Sequence, residues 1–443
     1  MTVIKKDRLY YRNISHDITS NCNIRCRFCF NRWYEIGPNV NMTPELFEKV
    51  LPLLMLVREE CFYFSCLYEP TLNKDMEKLI RMIPSEQRKK CFFTTNLAVR
   101  MPDSLIDFLS SSGLHHINIS MESLDRVTYE DICEHAKFDT YTDNLERIVK
   151  AFADAPDAPK LRYITMILKE NYRQLPQMAE TVHEKYLADL HEFRTPYVGP
   201  HMNLPWLDGQ ILTRAELDKL SCRLRELSVP VALDMSTSAE NYHEIIEGKK
   251  NREVCGSEPE QRLPDQHTLR IHSDGTIVMD ETGEAYQLDR IEDPYGFFLE
   301  KLRSFYKEAV REERCREDIP ALVREEADAV VTIDEIVDSD GIVTVSGWTF
   351  LEDTDMADVE LFLRTEPEGS GRNHSAAVYR TVQYERPDVE AAYHSVKYRR
   401  SGFRAVFDRA ETGNAIRIVM MYKIQRDREM WCLKKFEEVL DFS

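Results

Sequence analysis

The sequence is short of basic charge. Its 443 residues carry 58 lysines and arginines against 77 aspartates and glutamates, a formal net charge of −19. A surface of that sign repels phosphate backbones, so nucleic acid is excluded as an expected partner. Long apolar runs are missing too, which excludes membrane insertion by a spanning helix. The opening MTVIKKDRLYYRN lacks the apolar core of a secretory signal. The chain therefore reads as cytoplasmic, where thiols stay reduced; its 11 cysteines are then free or metal-bound, not a disulfide framework. No internal repeat is present, and EPEGSGRNHS (366–375) is the single low-complexity loop. What remains, 43% hydrophobic and 30% charged, is the composition of an ordinary globular chain long enough for two or three domains.

From Asn13 to about Asp234, short apolar runs alternate with amphipathic stretches. Ile14–Ile18, CFYFSC (61–66), KKCFFTT (89–95), HHINIS (115–120), LRYITMIL (161–168) and HEFRTPYV (191–198) read as strands, and VPVALD (229–234) as a further one. Thr43 with Pro44 signals a helix start, and Thr213 with Glu216 a capping box. Alternation of this kind predicts an α/β fold with a parallel sheet, here a partial (β/α)6 barrel. Functional loops then follow the C-terminal ends of the strands. Residues 235–326 are less regular and read as a small α+β extension, with a hairpin turning at Ser273–Gly275 and a helix over Phe297–Glu313. After Ala327 the apolar period falls to two, with Gly- and Asp-rich turns, which predicts an antiparallel β-sandwich over 327–443. The expected domains are 1–234, 235–326 and 327–443.

CNIRCRFCF (22–30) places Cys22, Cys26 and Cys29 in a C-x3-C-x2-C spacing. Three thiolates hold zinc or an iron–sulfur centre. Structural zinc calls for a fourth ligand, and none follows Cys29 nearby. Three ligands on a four-iron cube leave one iron open for something else to bind.

These residues resemble the radical S-adenosylmethionine (SAM) superfamily, whose signature is this spacing with an aromatic residue, here Phe28, before the last cysteine. The resemblance implies one 4Fe–4S cluster on Cys22, Cys26 and Cys29. It also implies SAM on the open iron, reductive cleavage to a 5′-deoxyadenosyl radical, and hydrogen abstraction from a substrate. Glu69 and Pro70 stand where the family carries Gly-Gly-Glu-Pro, with Leu67 and Tyr68 replacing the glycines; Tyr68 is then expected to point away from SAM. Asn96, Ser120 and Glu122 fall at strand ends where the family contacts SAM, Lys169 and Asn171 at the rim, and Arg194 where it could meet a carboxylate or phosphate.

Cys255 and the hairpin LRIHSDGTIVMD resemble the start of the family's auxiliary-cluster extension, but Asp280 occupies the expected cysteine position and the later cysteine-dense stretch is absent. A retained extension without clusters favours redox-neutral or hydrogen-returning chemistry, with Cys255, or Cys66, as hydrogen donor. GWTF (347–350), ERPDVEAAY (385–393) and SGFRAVF (401–407) resemble a module attached to bacterial glycosyltransferases. Together these imply a carbohydrate-type substrate, small or glycan-linked, undergoing epimerisation, dehydration or dehydrogenation, with flavodoxin or ferredoxin as external electron donor. The alternatives are a peptide-modifying radical enzyme and a non-catalytic scaffold on a degenerate barrel.

Overall fold

A computed structural model describes residues 4–29, 39–196, 205–234, 267–280, 282–314, 327–352, 354–367, 376–425 and 429–442. The described residues fall into two compact units, one of 11–234 with 267–297, the other of 4–10 with 298–442.

The first unit is built on a ten-stranded mixed sheet. Its strands run in the order Val231–Asp234, Ala188–Arg194, Lys160–Met166, His116–Ser120, Cys91–Thr95, Phe62–Ser65, Asn13–His16, Thr268–Ile271, Thr276–Met279 and Ala285–Gln287. Pairing is parallel as far as Thr268–Ile271 and antiparallel over the last two strands. The parallel strands bury apolar residues on both faces, as in Phe92 and Phe93 or Tyr163 and Ile164, the pattern of a parallel sheet covered on both sides. The hairpin expected to open a separate extension is thus continuous with this sheet, Leu269 lying beside Ile14 and Ile271 beside His16. Alternating apolar residues identify such a hairpin, but they do not say which sheet edge it will join.

Local signals fix the helices. Thr43 accepts from Leu46 N and caps Pro44–Glu48. Thr213 and Glu216 form the reciprocal capping box on Arg214–Arg225. Phe138–Ala153 buries Tyr141, Leu145, Ile148 and Phe152 on one face. That helix went unread in the sequence, although its i, i+4 apolar spacing was there.

The second unit contains two sheets. One runs Ile4–Asp7, Ala329–Ser339, Ile342–Leu351, Gly402–Asp408, Val382–Tyr384; the other Ala377–Arg380, Val359–Pro367, Ala415–Gln425, Glu429–Asp441. All pairs are antiparallel except the first, where Ile4–Asp7 runs parallel to Ala329–Ser339. The four residues of Ile4–Asp7, IKKD, carry no sequence pattern that names a partner so far along the chain. The inward residues of both sheets, Val343 and Val345 with Leu361, Leu363, Ile418 and Met420, share one core. Gly347 of GWTF is required by a close approach, since a Cβ there would lie 2.1 Å from the Thr332 carbonyl oxygen. Trp348 packs half-buried against the core and stacks on Phe350.

Candidate functional site

The C-terminal ends of Phe62–Ser65, Cys91–Thr95, His116–Ser120 and Lys160–Met166 open on one pocket of about 930 Å³. Cys22, Cys26 and Cys29 line it, together with Phe28, Glu69, Asn96, Ser120 and Glu122. These expected residues are scattered over a hundred positions of sequence and converge because parallel strands present all their loops at one end.

The cysteine loop is pinned on two sides. Asn96 Nδ2 donates to Cys22 Sγ at 3.6 Å and to Asn23 Oδ1 at 3.2 Å, and Asn23 Nδ2 donates to the Ala98 carbonyl. On the other side Arg25–Cys26 pairs antiparallel with Cys133–Glu134, and Arg27 N donates to Ile132 O. The Cys29 amide closes a turn on the Cys26 carbonyl. Arg27 anchors the turn by an ion pair to Asp131 at 2.6 Å and lies over the Trp206 ring.

Glu69 is buried and heavily bonded. Its Oε1 accepts from Thr71 N, Thr71 Oγ1 and Thr95 Oγ1, and its Oε2 from Asn96 N. Burial raises its carboxyl, and these donors oppose the rise. Glu69 therefore braces the loops after two strands while still facing the pocket, and Pro70 starts the short turn that it caps. Asp17, which the sequence reading overlooked, does the same for the preceding loop. Its Oδ1 accepts from Cys66 N and Leu67 N, and burial pushes its carboxyl up to about 6. Tyr68 is among the residues lining the pocket, where the expectation has it turned away from SAM.

Three expected contacts lie elsewhere. Lys169 is exposed, its amide donating to the Gln210 carbonyl and its charge acting on Glu216. Asn171 is fully buried; its amide donates to the Met166 carbonyl of its own segment and to the Glu122 carbonyl of the preceding strand-end loop, and accepts from Leu168 N. Arg194 is bonded through two nitrogens to Glu192, at 2.6 and 2.9 Å. Residues two apart share one face of a strand, so this pair forms locally and Arg194 does not line the pocket. Cys255 and Cys315 lie outside the described residues. Asp280, in place of the auxiliary-cluster cysteine, pairs with Arg270 at 3.4 Å.

Glu122 is the most perturbed acid of the pocket. It is buried with Met166 N donating to Oε2, and burial pushes its carboxyl from 4.5 up to about 8. The folded chain then holds one more proton here than the unfolded chain between those values. Stability from this residue falls as pH rises from 4.5 to about 8 and is level above. Glu122→Gln, a neutral isostere, removes the slope. Metal-free wild type should lose more melting temperature between pH 5 and 8.5 than the variant; equal losses would contradict the assignment.

Besides the three signature cysteines and Cys66, the pocket holds a fifth thiol, Cys133, which the sequence reading missed. Its Sγ lies 3.8 Å from Cys26 Sγ. A further sulfur ligand is thus absent nearby along the sequence but close in space. Burial pushes Cys22 up to about 12, and the contact with Cys133, then burial, raises Cys26 well above the usual thiol range, so a metal must displace protons from these thiols. Soft sulfur donors in this number fit an iron–sulfur centre or zinc and exclude a hard cation.

Residues 17–182 match the family model described as Radical SAM superfamily. The chain is 26% identical over 253 residues to a probable GTP 3′,8-cyclase of Thermoplasma volcanium, covering 54% of this chain and 72% of that protein. It is 27% identical over 179 residues to the tungsten-containing aldehyde ferredoxin oxidoreductase cofactor-modifying protein of Pyrococcus furiosus, covering 39% of this chain and 47% of that protein. Among solved structures, the FeFe-hydrogenase maturase HydG of Carboxydothermus hydrogenoformans aligns at a TM-score of 0.39 and 12% identity over 67% of each chain.

Proposed function

We propose that this enzyme, whose residues 17–182 form a Radical SAM superfamily domain, abstracts a hydrogen atom from a hydroxyl-bearing carbon of a carbohydrate-type substrate. Superfamily members use a 4Fe–4S cluster and SAM, and the pair, when bound, supplies a 5′-deoxyadenosyl radical. The observation that carries the reading is the meeting of Cys22, Cys26 and Cys29 with buried Glu69 and Glu122 in one pocket. The three thiols would hold the cluster. Glu122 offers a carboxylate whose ionised form a cationic amino or sulfonium group stabilises, which would bring its proton affinity down on binding. Asn96 and Ser120 supply polar contacts, and Phe28, Ile164 and Met166 give the pocket an apolar wall that limits water.

For the substrate, several observations support a sugar carbon. The hairpin position expected to carry an auxiliary-cluster ligand holds the Asp280–Arg270 ion pair instead, which favours chemistry without a second cluster. We read the second unit as a β-sandwich accessory module, similar to those on glycan enzymes, and 235–326 as an extension that has lost its clusters. Several relatives are named GTP 3′,8-cyclase, a name that does not point to a free carbohydrate. Cys66 lines the same pocket and is the described candidate for returning hydrogen to a substrate radical; Cys255 is the other. An external one-electron donor of the flavodoxin or ferredoxin type completes the requirement. No described helix is long and apolar enough to cross a membrane.

Anaerobically reconstituted protein given SAM and dithionite should release 5′-deoxyadenosine, and candidate deuterated sugars should pass their label into it. Iron-loaded protein that releases none would contradict the reading. A zinc site is the second reading, favoured by one contact: sulfurs on a tetrahedral zinc lie about 3.8 Å apart, the separation of Cys26 and Cys133.

A further inference from the structure

Cys133 is not part of the cysteine signature, yet the fold holds it against one member of it. The antiparallel register sets Cys133 directly opposite Cys26. The Arg27 amide to the Ile132 carbonyl, at 2.9 Å, and the Arg27–Asp131 ion pair lock that register from the side. Cys133 is only 3% exposed. Among the described residues its thiol has one hydrogen-bond partner, the Cys26 sulfur at 3.8 Å. Both line the pocket.

Resting on the cluster reading above, we propose that Cys133 is a positioning residue that donates its S–H to the Cys26 sulfur when that sulfur is bound to iron. Sulfurs on different irons of one cube are held well apart by the cube. A thiol in contact with Cys26 therefore lies beside that ligand rather than on another iron. Cys26 is then a thiolate with lone pairs directed at its neighbour, and Cys133 is the group that can donate. Such a bond withdraws negative charge from the ligand and favours the reduced cluster, which carries one more electron. The role also accounts for a buried cysteine in a turn that any small apolar residue would fill.

The test uses the whole chain, reconstituted anaerobically, as wild type, Cys133→Ala and Cys133→Ser. Iron is counted, and the cluster is titrated with dithionite under EPR. All three proteins should hold the same iron, about four per chain. At the wild-type midpoint, the reduced-to-oxidised ratio should fall about threefold in the alanine variant, roughly 28 mV for a one-electron couple. Serine, which keeps a donor at the same place, should restore at least half of the shift. An unchanged midpoint in Cys133→Ala overturns the proposal, and so does iron lost from both variants, which would make Cys133 a ligand. Wild type that takes zinc, or takes no iron, overturns the cluster reading itself, a result separable from the other two.

Discussion

Cys26→Ala is expected to stay folded, to lose most of its iron and to release 5′-deoxyadenosine only at background. Cys26 sits half-buried in a two-stranded bridge separate from the main sheet, so its sulfur contributes little to the core. Its loss removes one of three ligands to a centre that has no spare protein ligand in the signature. Cys222→Ser is the matched control, because that thiol is exposed and does not line the pocket; it should bind iron as wild type does. Iron content and the visible absorbance of the reconstituted proteins check both expectations. A Cys26→Ala protein with wild-type iron would show that the signature is not the ligand set.

Glu69→Ala is expected to have the second-largest effect, on both stability and cofactor binding. The carboxylate receives four hydrogen bonds, from Thr71 N at 3.2 Å, Thr71 Oγ1 at 2.6 Å, Thr95 Oγ1 at 2.9 Å and Asn96 N at 2.7 Å. Truncation leaves four donors around a buried void, two of them backbone amides that cannot turn away. Each stranded donor costs about 1–3 kcal/mol, less where water enters, so a loss of about 3 kcal/mol is a moderate expectation. For a unit of this size that is a fall of about 6–12 °C in melting temperature. Because Asn96 also holds Cys22 and Asn23, SAM affinity should drop by about tenfold or more with it. Glu69→Gln should fall between, since one amide nitrogen replaces an acceptor with a donor. A melting temperature within a degree of wild type would mean that the brace carries no weight.

Much of the site was legible because its parts are local. The C-x3-C-x2-C spacing is contained in eight residues, and the resemblance to the radical SAM superfamily points to Glu69, Asn96, Ser120 and Glu122 at the ends of strands that alternation marks. The Arg194–Glu192 pair could also have been read, since period two puts both on one face. What could not be read depends on pairing between distant segments. Cys133 lies in a two-residue bridge after a seven-residue helix, and nothing in ICEHA distinguishes it from a core cysteine. Asp17 precedes the cysteine loop as one acid among 77 acidic residues; its role appears only once the Cys66 and Leu67 amides are brought to it. Lys169 and Asn171 are absent from the pocket lining for a different reason. Asparagine in a turn bonds readily to its own backbone, and Asn171 does so on both ends of its amide. The same limit applies to the fold: strand patterns gave the strands, but not that Thr268–Ile271 joins Asn13–His16 or that Ile4–Asp7 joins Ala329–Ser339.

Metal analysis combined with EPR of the dithionite-reduced protein, recorded before and after adding SAM, bears most directly on the central claim. The account predicts about four irons per chain, negligible zinc, and a cluster signal that changes when SAM is added. One zinc held by Cys22, Cys26, Cys29 and Cys133, or an iron signal indifferent to SAM, would contradict it.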